Sequence, residues 1–566
     1  MASTGIQILL DMLVSAGVDT IFGNPGSTEL PLNDALVDDQ RFRYILGLQE
    51  VPVMSMADGY SMAGNQLGVV NLHICPGLGN AMGMLYNAYR EGTPLLVTAG
   101  QQDRRLSFDE PILGGDMLAV TKPWTKCGIE VDRIENLPMA IKRCIQAALT
   151  PPTGPVFLSL PVDLQMELGE FSQLPAITLP NVHTRPPRES IEQAVALLAT
   201  AANPAIIAGS RLVECYAENE LVLLAEAIGA PVYVEPGTTH GRLPIRSDHP
   251  LNAQGLPPWA PGIKDRLSGH DVILVAGMDL FRLYIYMEPS NPIPDTAAVI
   301  HIDEDPRQIG KNHDVTVGVV GHSKVALSEI TDLFNESLDD VTATKVQQRT
   351  KTITANLKSN RQSLQAEVDS QLSSEPLTPL GLMGAIGRVL PEDVAVIEEA
   401  VTTTNTTLER LGVLQNTTGY FGHRGWGLGW GLGCTLGAQL AWPDRPVLGI
   451  LGEGSAMYGI QGLWSAARYN IPATFLICNN AQYHILKVCG QTMGLPQASA
   501  GEFEGLDLVQ PDLDVVAIAR GFGVEAIRVN KASEVSDALR DGLASDRPLL
   551  IDVPITRETK SELNYG

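Results

Sequence analysis

Two short stretches hold the residue types best suited to chemistry in this chain. Residues 447–451 (VLGIL) run into Gly452-Glu453-Gly454-Ser455, and residues 474–478 run into Asn479-Asn480. Each apolar run has the length and composition of a buried strand, and the residues behind it mark a turn at its carboxyl end. In parallel sheets, ligands gather at those ends. Small residues there let a diphosphate approach the backbone, and a helix beginning after Ser455 offers it free N–H groups. The Glu453 carboxylate and the Asn480 amide oxygen are hard ligands suited to Mg²⁺, which commonly keeps phosphate oxygens in its shell. The two turns together read as a metal–diphosphate site.

The elements that must position this site reach across the whole chain. In residues 1–180, Gly68–Leu72 (GVVNL), 94–99 (PLLVTA) and 155–160 (PVFLSL) are apolar without alternation, and helical patterns such as residues 80–90 separate them. Such runs indicate a parallel sheet covered on both faces. A Pro-rich polar passage near residues 174–188 reads as a connection. A second block spans 190–337, with strands at Pro204–Ala208, 231–234, Val272–Ala276 and 298–302. Residues 338–377 are polar and read as a long surface linker with some helix. A third block, 378–566, has strands at 395–398, 447–451, 474–478 and 548–553. The expected architecture is α/β, three consecutive doubly wound domains with parallel sheets. No internal sequence repeat is visible.

Composition narrows the function classes. Of 566 residues, 44% are hydrophobic and 18% charged, which is globular and not disordered. A net charge of −25 argues against nucleic acid as a partner, since phosphate binding needs excess Lys and Arg. No apolar run approaches the roughly 18 residues of a membrane span, and the N-terminus acquires Asp11 too early for a secretory signal. Seven unclustered cysteines favour neither a disulfide framework nor a zinc site; they fit reduced thiols in a cytoplasmic protein.

The two turns resemble the signature of thiamine-diphosphate enzymes, Gly-Asp-Gly followed by Asn-Asn. Here 24 residues separate Gly454 from Asn479, and Glu453 stands where the signature has Asp. Residues 22–31 (FGNPGSTELP), 46–50 (LGLQE) and Asn71-Leu72-His73 resemble the family's pyrimidine-binding domain, which makes the three blocks its pyrimidine-binding, middle and diphosphate-binding domains. Together with residues 98–102 (TAGQQ) and 469–472 (YNIP) they are most similar to benzoylformate decarboxylases among 2-oxo acid decarboxylases.

The resemblance implies roles for particular residues. Glu50 would hydrogen-bond N1′ of the aminopyrimidine, so that the cofactor serves as its own base. Residues 419–432 (GYFGHRGWGLGWGL) are similar to the segment that bends the cofactor: Leu428 would prop the rings, and the Trp426 carbonyl would accept from the 4′-amino group. Thr402, Gly454, Ser455 and Tyr483 would bind the diphosphate. Glu453, Asn480 and the Gln482 backbone oxygen would hold Mg²⁺, with Ca²⁺ as the alternative. A blander reading of the glycine-rich run is a helix-packing surface. Residues 77–80 (GLGN) do not fit the dinucleotide fingerprint.

By the same resemblance, Ser27 would contact the substrate carboxylate and His73 would handle protons. The family's second His is replaced by Tyr284, a poor shuttle at neutral pH. Either the intermediate is protonated slowly and carboligation gains, or His484 or His423 substitutes. Ile485, Trp430, Cys75 and Tyr284 would line a pocket for an aryl or branched 2-oxo acid. The family's sites lie between chains, which implies a homodimer or homotetramer. The expected activity is decarboxylation to an aldehyde and CO₂, with a carboligase or lyase as the alternative.

Overall fold

The computed structural model describes residues 2–236, 241–422 and 424–557. The unbroken apolar runs form strands because a strand buried on both faces has no polar side to present. Six parallel strands build the first sheet: β1 (Thr20–Asn24), β2 (Arg43–Leu46), β3 (Gly68–Leu72), β4 (Leu95–Gln101), β5 (Gly128–Glu130) and β6 (Val156–Pro161). Their spatial order is β2-β1-β3-β4-β6-β5, and Phe22 faces Val70 on one side and Ile45 on the other. A short antiparallel ribbon ties Ala2–Thr4 to Leu168–Glu170.

The middle sheet holds β7 (Pro204–Ala208), β8 (Val232–Val234), β9 (Asn252–Gly255), β10 (Val272–Ala276), β11 (Ala298–Asp303) and β12 (Val317–Val320). Its order, β9-β8-β7-β10-β11-β12, is the dinucleotide-fold order. The third sheet holds β13 (Ala395–Glu399), β14 (Tyr420–Phe421), β15 (Val447–Gly452), β16 (Thr474–Asn479), β17 (Glu525–Arg528) and β18 (Leu549–Pro554). It runs β14-β13-β15-β16-β18-β17, also parallel throughout. The first and third sheets therefore share one topology, although no repeat is legible in the sequence. In that topology the order reverses between the first and third strands of each sheet, the crevice where ligands settle.

Five helices matter for the site: α1 (Glu50–Gly64), α2 (Cys75–Glu91), α3 (Asp340–Gln371), α4 (Trp430–Ala441) and α5 (His484–Thr492). Helices α1 and α4 pack backbone to backbone. A Cβ on Gly437 would stand 2.0 Å from the Met56 carbonyl oxygen, and one on Gly59 would stand 2.4 Å from that of Cys434. The carboxyl part of the glycine-rich run is thus a helix-packing surface, and only its amino part forms a loop. One apolar core joins the first and third domains through Phe22, Met54, Trp430 and Phe475; another joins the middle and third through Leu224, Leu377 and Val553.

The fold makes one expectation more specific and corrects another. Residues 338–377, read as a surface linker with some helix, are dominated by the single 32-residue helix α3. Asp339 caps its start by accepting from the Thr342 N–H at 2.7 Å, and only Leu364 and Val368 are buried along it. Trp430, expected in the substrate pocket, is completely buried in the core between domains, where its indole N–H donates to Asp58 at 2.6 Å. Position on α4, and not aromatic character, decides its fate. No described helix is long and apolar enough to cross a membrane. All seven cysteines are free.

Candidate active site

Ser27, Glu50 and His73 follow β1, β2 and β3, three adjacent strands, so the sheet brings them to one edge of its switch point. Ser27 is exposed at the start of a short 3-10 turn. That turn continues into Glu29, a carboxylate with no exposed side-chain surface that the sequence reading missed. Glu29 Oε1 accepts from the Gly100 N–H (2.7 Å), the Thr28 hydroxyl (2.8 Å) and the Ile74 N–H (3.3 Å). Its Oε2 accepts from the Gly26 N–H at 2.9 Å and lies 3.0 Å from His73 Nδ1. A carboxylate surrounded by donors can only accept from the imidazole, so Nδ1 carries the proton and Nε2 is left free for chemistry.

Glu50 begins α1 and is 6% exposed, and its Oε2 accepts from the Asn80 amide at 3.0 Å. Gly77 explains how Glu50 and His73 come together. A Cβ there would stand 2.9 Å from both Glu50 Oε1 and the His73 Cβ. Residues 77–80, unassigned by sequence, are thus the first turn of α2 folded tightly under the pair. Gly26 plays the matching part from β1, since a Cβ on it would enter the His73 ring at 1.8 Å.

The second constellation sits at the corresponding ends of the third sheet. Thr402 follows β13, Glu453 follows β15 and Asn480 follows β16, again three adjacent strands. Glu453 Oε1 and Asn480 Oδ1 both accept from the Gln482 N–H, at 3.0 and 3.1 Å. Burial raises the Glu453 carboxyl to about 7, against the opposing backbone N–H groups of the 480–482 turn. That is a poor home for an unpaired charge and a fitting one for a carboxylate facing a cation. Among the described residues no three His, Cys, Asp or Glu side chains converge on one point. A metal would therefore take mixed oxygens, those of Glu453, Asn480 and the Gln482 backbone, completed by phosphate. Gly454 must lack a side chain because the Tyr483 ring lies 2.7 Å from where its Cβ would be. The Ser455 hydroxyl bonds the Glu399 and Gly452 carbonyls at 3.0 Å each and locks the turn. These residues fit a metal–diphosphate group.

The remaining residues lie around these two centres. Trp426 adopts φ +57°, and its ring meets Tyr284 edge-on at 4.8 Å. Leu428, half-buried, ends the same loop. Tyr284 is half-exposed, and burial beside Cys489 pushes its hydroxyl above the usual phenol range. His484 opens α5 and is buried; burial and the neighbouring Lys487 hold its pKa below the ordinary value. Cys75 and Ile485 are half-buried at the starts of α2 and α5. His423 lies outside the described residues. A cavity of about 1300 Å³ opens where the three domains meet, with Trp426 and Tyr284 in its wall. Glu50, His73 and Glu453 do not line it. Among the described residues no hydrogen bond or ion pair joins Ser27, Glu50 or His73 to Glu453, Asn480 or Gln482.

Residues 3–111 match the N-terminal TPP binding domain of thiamine pyrophosphate enzymes, 191–330 their central domain and 401–553 their C-terminal TPP binding domain. The chain is a thiamine pyrophosphate enzyme. The family resemblance read from the Gly-Glu-Gly and Asn-Asn turns is borne out, as is the fold of three parallel-sheet α/β domains. This thiamine pyrophosphate enzyme is 35% identical to benzoylformate decarboxylase of Pseudomonas aeruginosa, over 96% of this chain and 97% of that one. It is 26% identical to a probable acetolactate synthase large subunit of Methanococcus aeolicus, over 97% and 92%. Among solved structures it resembles the thiamine diphosphate-dependent 4-hydroxybenzoylformate decarboxylase of Rhodococcus jostii, with a TM-score of 0.86, 32% identity and coverage of 99% and 100%. Benzoylformate decarboxylase from Polynucleobacter necessarius superposes with a TM-score of 0.85 at 29% identity, covering 98% and 99%.

Proposed function

We propose that this enzyme decarboxylates an aryl or branched 2-oxo acid to an aldehyde and CO₂ without oxidation. The observation that carries the reading is the Ser27–Glu29–His73–Glu50 cluster at one switch point, in a chain similar end to end to two benzoylformate decarboxylases.

When bound, thiamine diphosphate would supply a carbon nucleophile and an electron sink. Glu50 Oε1, the oxygen that Asn80 does not engage, would share a proton with the cofactor's pyrimidine nitrogen. The exposed Ser27 hydroxyl binds the substrate carboxylate. His73 gives and takes a proton at Nε2, oriented by Glu29. Thr402, Gly454, Ser455 and Tyr483 would hold the diphosphate; Glu453, Asn480 and Gln482 would hold Mg²⁺, or Ca²⁺ in its place. Leu428 would support the cofactor's rings and Trp426 would offer its carbonyl oxygen. Tyr284, Ile485 and Cys75 face the substrate.

That no hydrogen bond or ion pair joins the two constellations among the described residues supports a homodimer or homotetramer whose sites lie between chains; we take the enzyme to be cytoplasmic. A carboligase or lyase is the second reading, favoured by Tyr284: a phenol held above its usual range protonates slowly and leaves time for a second carbonyl. His484 is the group on α5 that would supply the proton instead, after taking one from solvent, since burial favours its neutral form.

The test adds Mg²⁺ and thiamine diphosphate to depleted enzyme and follows CO₂ and organic products across aryl, branched and short 2-oxo acids. Cofactor-dependent CO₂ with free aldehyde from an aryl or branched acid is expected. CO₂ with hydroxy ketone moves the assignment to carboligase, and no CO₂ from any acid overturns it.

A further inference from the structure

The loop that carries Trp426 is held by one face of α2. Arg424 Nε bonds Glu91 Oε2 at 3.1 Å, its backbone N–H donates to Oε1 of the same carboxylate, and its Nη2 reaches Glu214 of the middle domain at 2.5 Å. Glu91 is 3% exposed. One turn earlier on α2, the Asn87 amide grips Gly427 in both directions: Nδ2 donates to its carbonyl oxygen at 2.8 Å, and Oδ1 accepts from its N–H at 2.9 Å. The i, i+4 spacing puts Asn87 and Glu91 on one helix face.

Trp426 therefore sits between two anchored neighbours. Its φ of +57° is a left-handed conformation that bulky side chains avoid, and such a conformation persists only where the surroundings fix it. The glycines on either side are required by the grip itself. A Cβ on Gly425 would stand 2.4 Å from Asn87 Oδ1, and one on Gly427 would stand 2.8 Å from it. The other end of α2 supports Glu50 through Asn80. A single helix thus carries both the support for Glu50 and the clamp on the Trp426 loop.

We propose that Asn87, Glu91 and Arg424 are positioning residues that aim the Trp426 carbonyl oxygen at the cofactor's 4′-amino group, with Asn87 as the main determinant. This rests on the reading of Trp426 given above. None of the three touches the reacting atoms; they act through the backbone of residues 424–427. Glu214 adds a strut from the middle domain, so that all three domains converge on the Arg424 guanidinium.

The test compares wild-type enzyme with Asn87→Ala and Asn87→Asp. Amide hydrogen exchange over residues 424–428 is read without cofactor. Affinity for thiamine diphosphate with Mg²⁺, and deuterium exchange at C2 of the bound cofactor, are read at saturation. Asn87→Ala should speed amide exchange in the loop, weaken cofactor affinity by less than about tenfold and slow C2 exchange by at least about tenfold. Asn87→Asp keeps the acceptor for the Gly427 N–H and should fall between the two; it also serves if the Ala variant does not fold. A purely structural role would lower thermal stability and leave C2 exchange at saturation unchanged, which overturns the proposal. Wild-type enzyme that binds no thiamine diphosphate would instead overturn the functional reading beneath it.

Discussion

His73 Nδ1 lies 3.0 Å from Oε2 of Glu29, a carboxylate whose every nearby donor points at it. The pairing fixes both the tautomer and the plane of the imidazole. It also ties the 3-10 turn after β1 to the end of β3. Glu29 has no exposed side-chain surface, so it cannot meet substrate and acts only through His73 and the turn.

Replacing Glu29 with Gln exchanges one acceptor oxygen for a donor that faces other donors. Turnover should fall by roughly 10²-fold, the usual scale of a general acid–base contribution. Stability should fall by about 1–3 kcal/mol for the donors left unpaired. The informative measurement is a double-mutant cycle with His73→Ala. If Glu29 works through His73, the double variant turns over no more slowly than His73→Ala alone. Additive losses would separate the two residues.

Gly77 and Gly79 offer a matched pair on the first turns of α2. A Cβ on Gly77 would stand 2.9 Å from Glu50 Oε1, whereas one on Gly79 meets nothing within 4 Å. Gly77→Ala should reduce kcat/KM by at least about tenfold by displacing Glu50 or His73, a misplacement of the kind that costs up to about 10²-fold. Gly79→Ala should keep full activity and gain up to about 1 kcal/mol of helix stability. Equal activities in the two variants would remove the argument for a Glu50–His73 pocket.

The sheets were legible because a doubly covered parallel strand must be apolar along its whole length, as residues 272–276 and 447–451 are. Glu453 and Asn480 stood out because they directly follow such strands. Glu29 did not, since nothing in residues 27–30 shows that the carboxylate turns inward to meet His73, 44 positions away. The clamp of Glu91 on Arg424 spans 333 positions, and pairing over that distance has no local signal. Helix α3 reads as a linker because two buried residues in its 32 leave almost no apolar stripe. Trp430 was misplaced because residue type does not say which side of α4 meets Asp58. The shared order of the first and third sheets is a property of pairing, and pairing leaves no repeat in the sequence.

Asp58 gives a pH dependence with a definite sign. Burial raises its carboxyl from 3.8 to about 6, against the opposing bond from the Trp430 indole. Between those values the folded Asp58 holds a proton that the unfolded chain has lost, so its contribution to stability falls as pH rises from about 4 to about 6 and then levels. Asp58→Asn keeps an oxygen for the indole N–H and carries no charge. Relative to wild type it should gain stability across that window, on the order of 3 kcal/mol in total. Urea unfolding at about pH 4, 6 and 7.5 reads this directly, and a gap between variant and wild type that does not change with pH would refute it.

Glu453 stands where the family signature has Asp, and its carboxylate shares the Gln482 N–H with Asn480. Two substitutions separate charge from reach. Glu453→Gln preserves length and an acceptor for Gln482 but removes the charge that faces the cation. Glu453→Asp preserves the charge and withdraws it by one methylene. For a hard ion such as Mg²⁺, charge contributes more to binding than a small change in reach that a water can bridge. Titration of metal into depleted enzyme with saturating thiamine diphosphate should therefore weaken by at least about tenfold for Gln and by less for Asp. Chelator treatment followed by dialysis should abolish turnover in all three proteins, with Mg²⁺ restoring wild type first. Should Gln bind metal as wild type does, the cation is held by other oxygens and the assignment of Glu453 as its ligand fails.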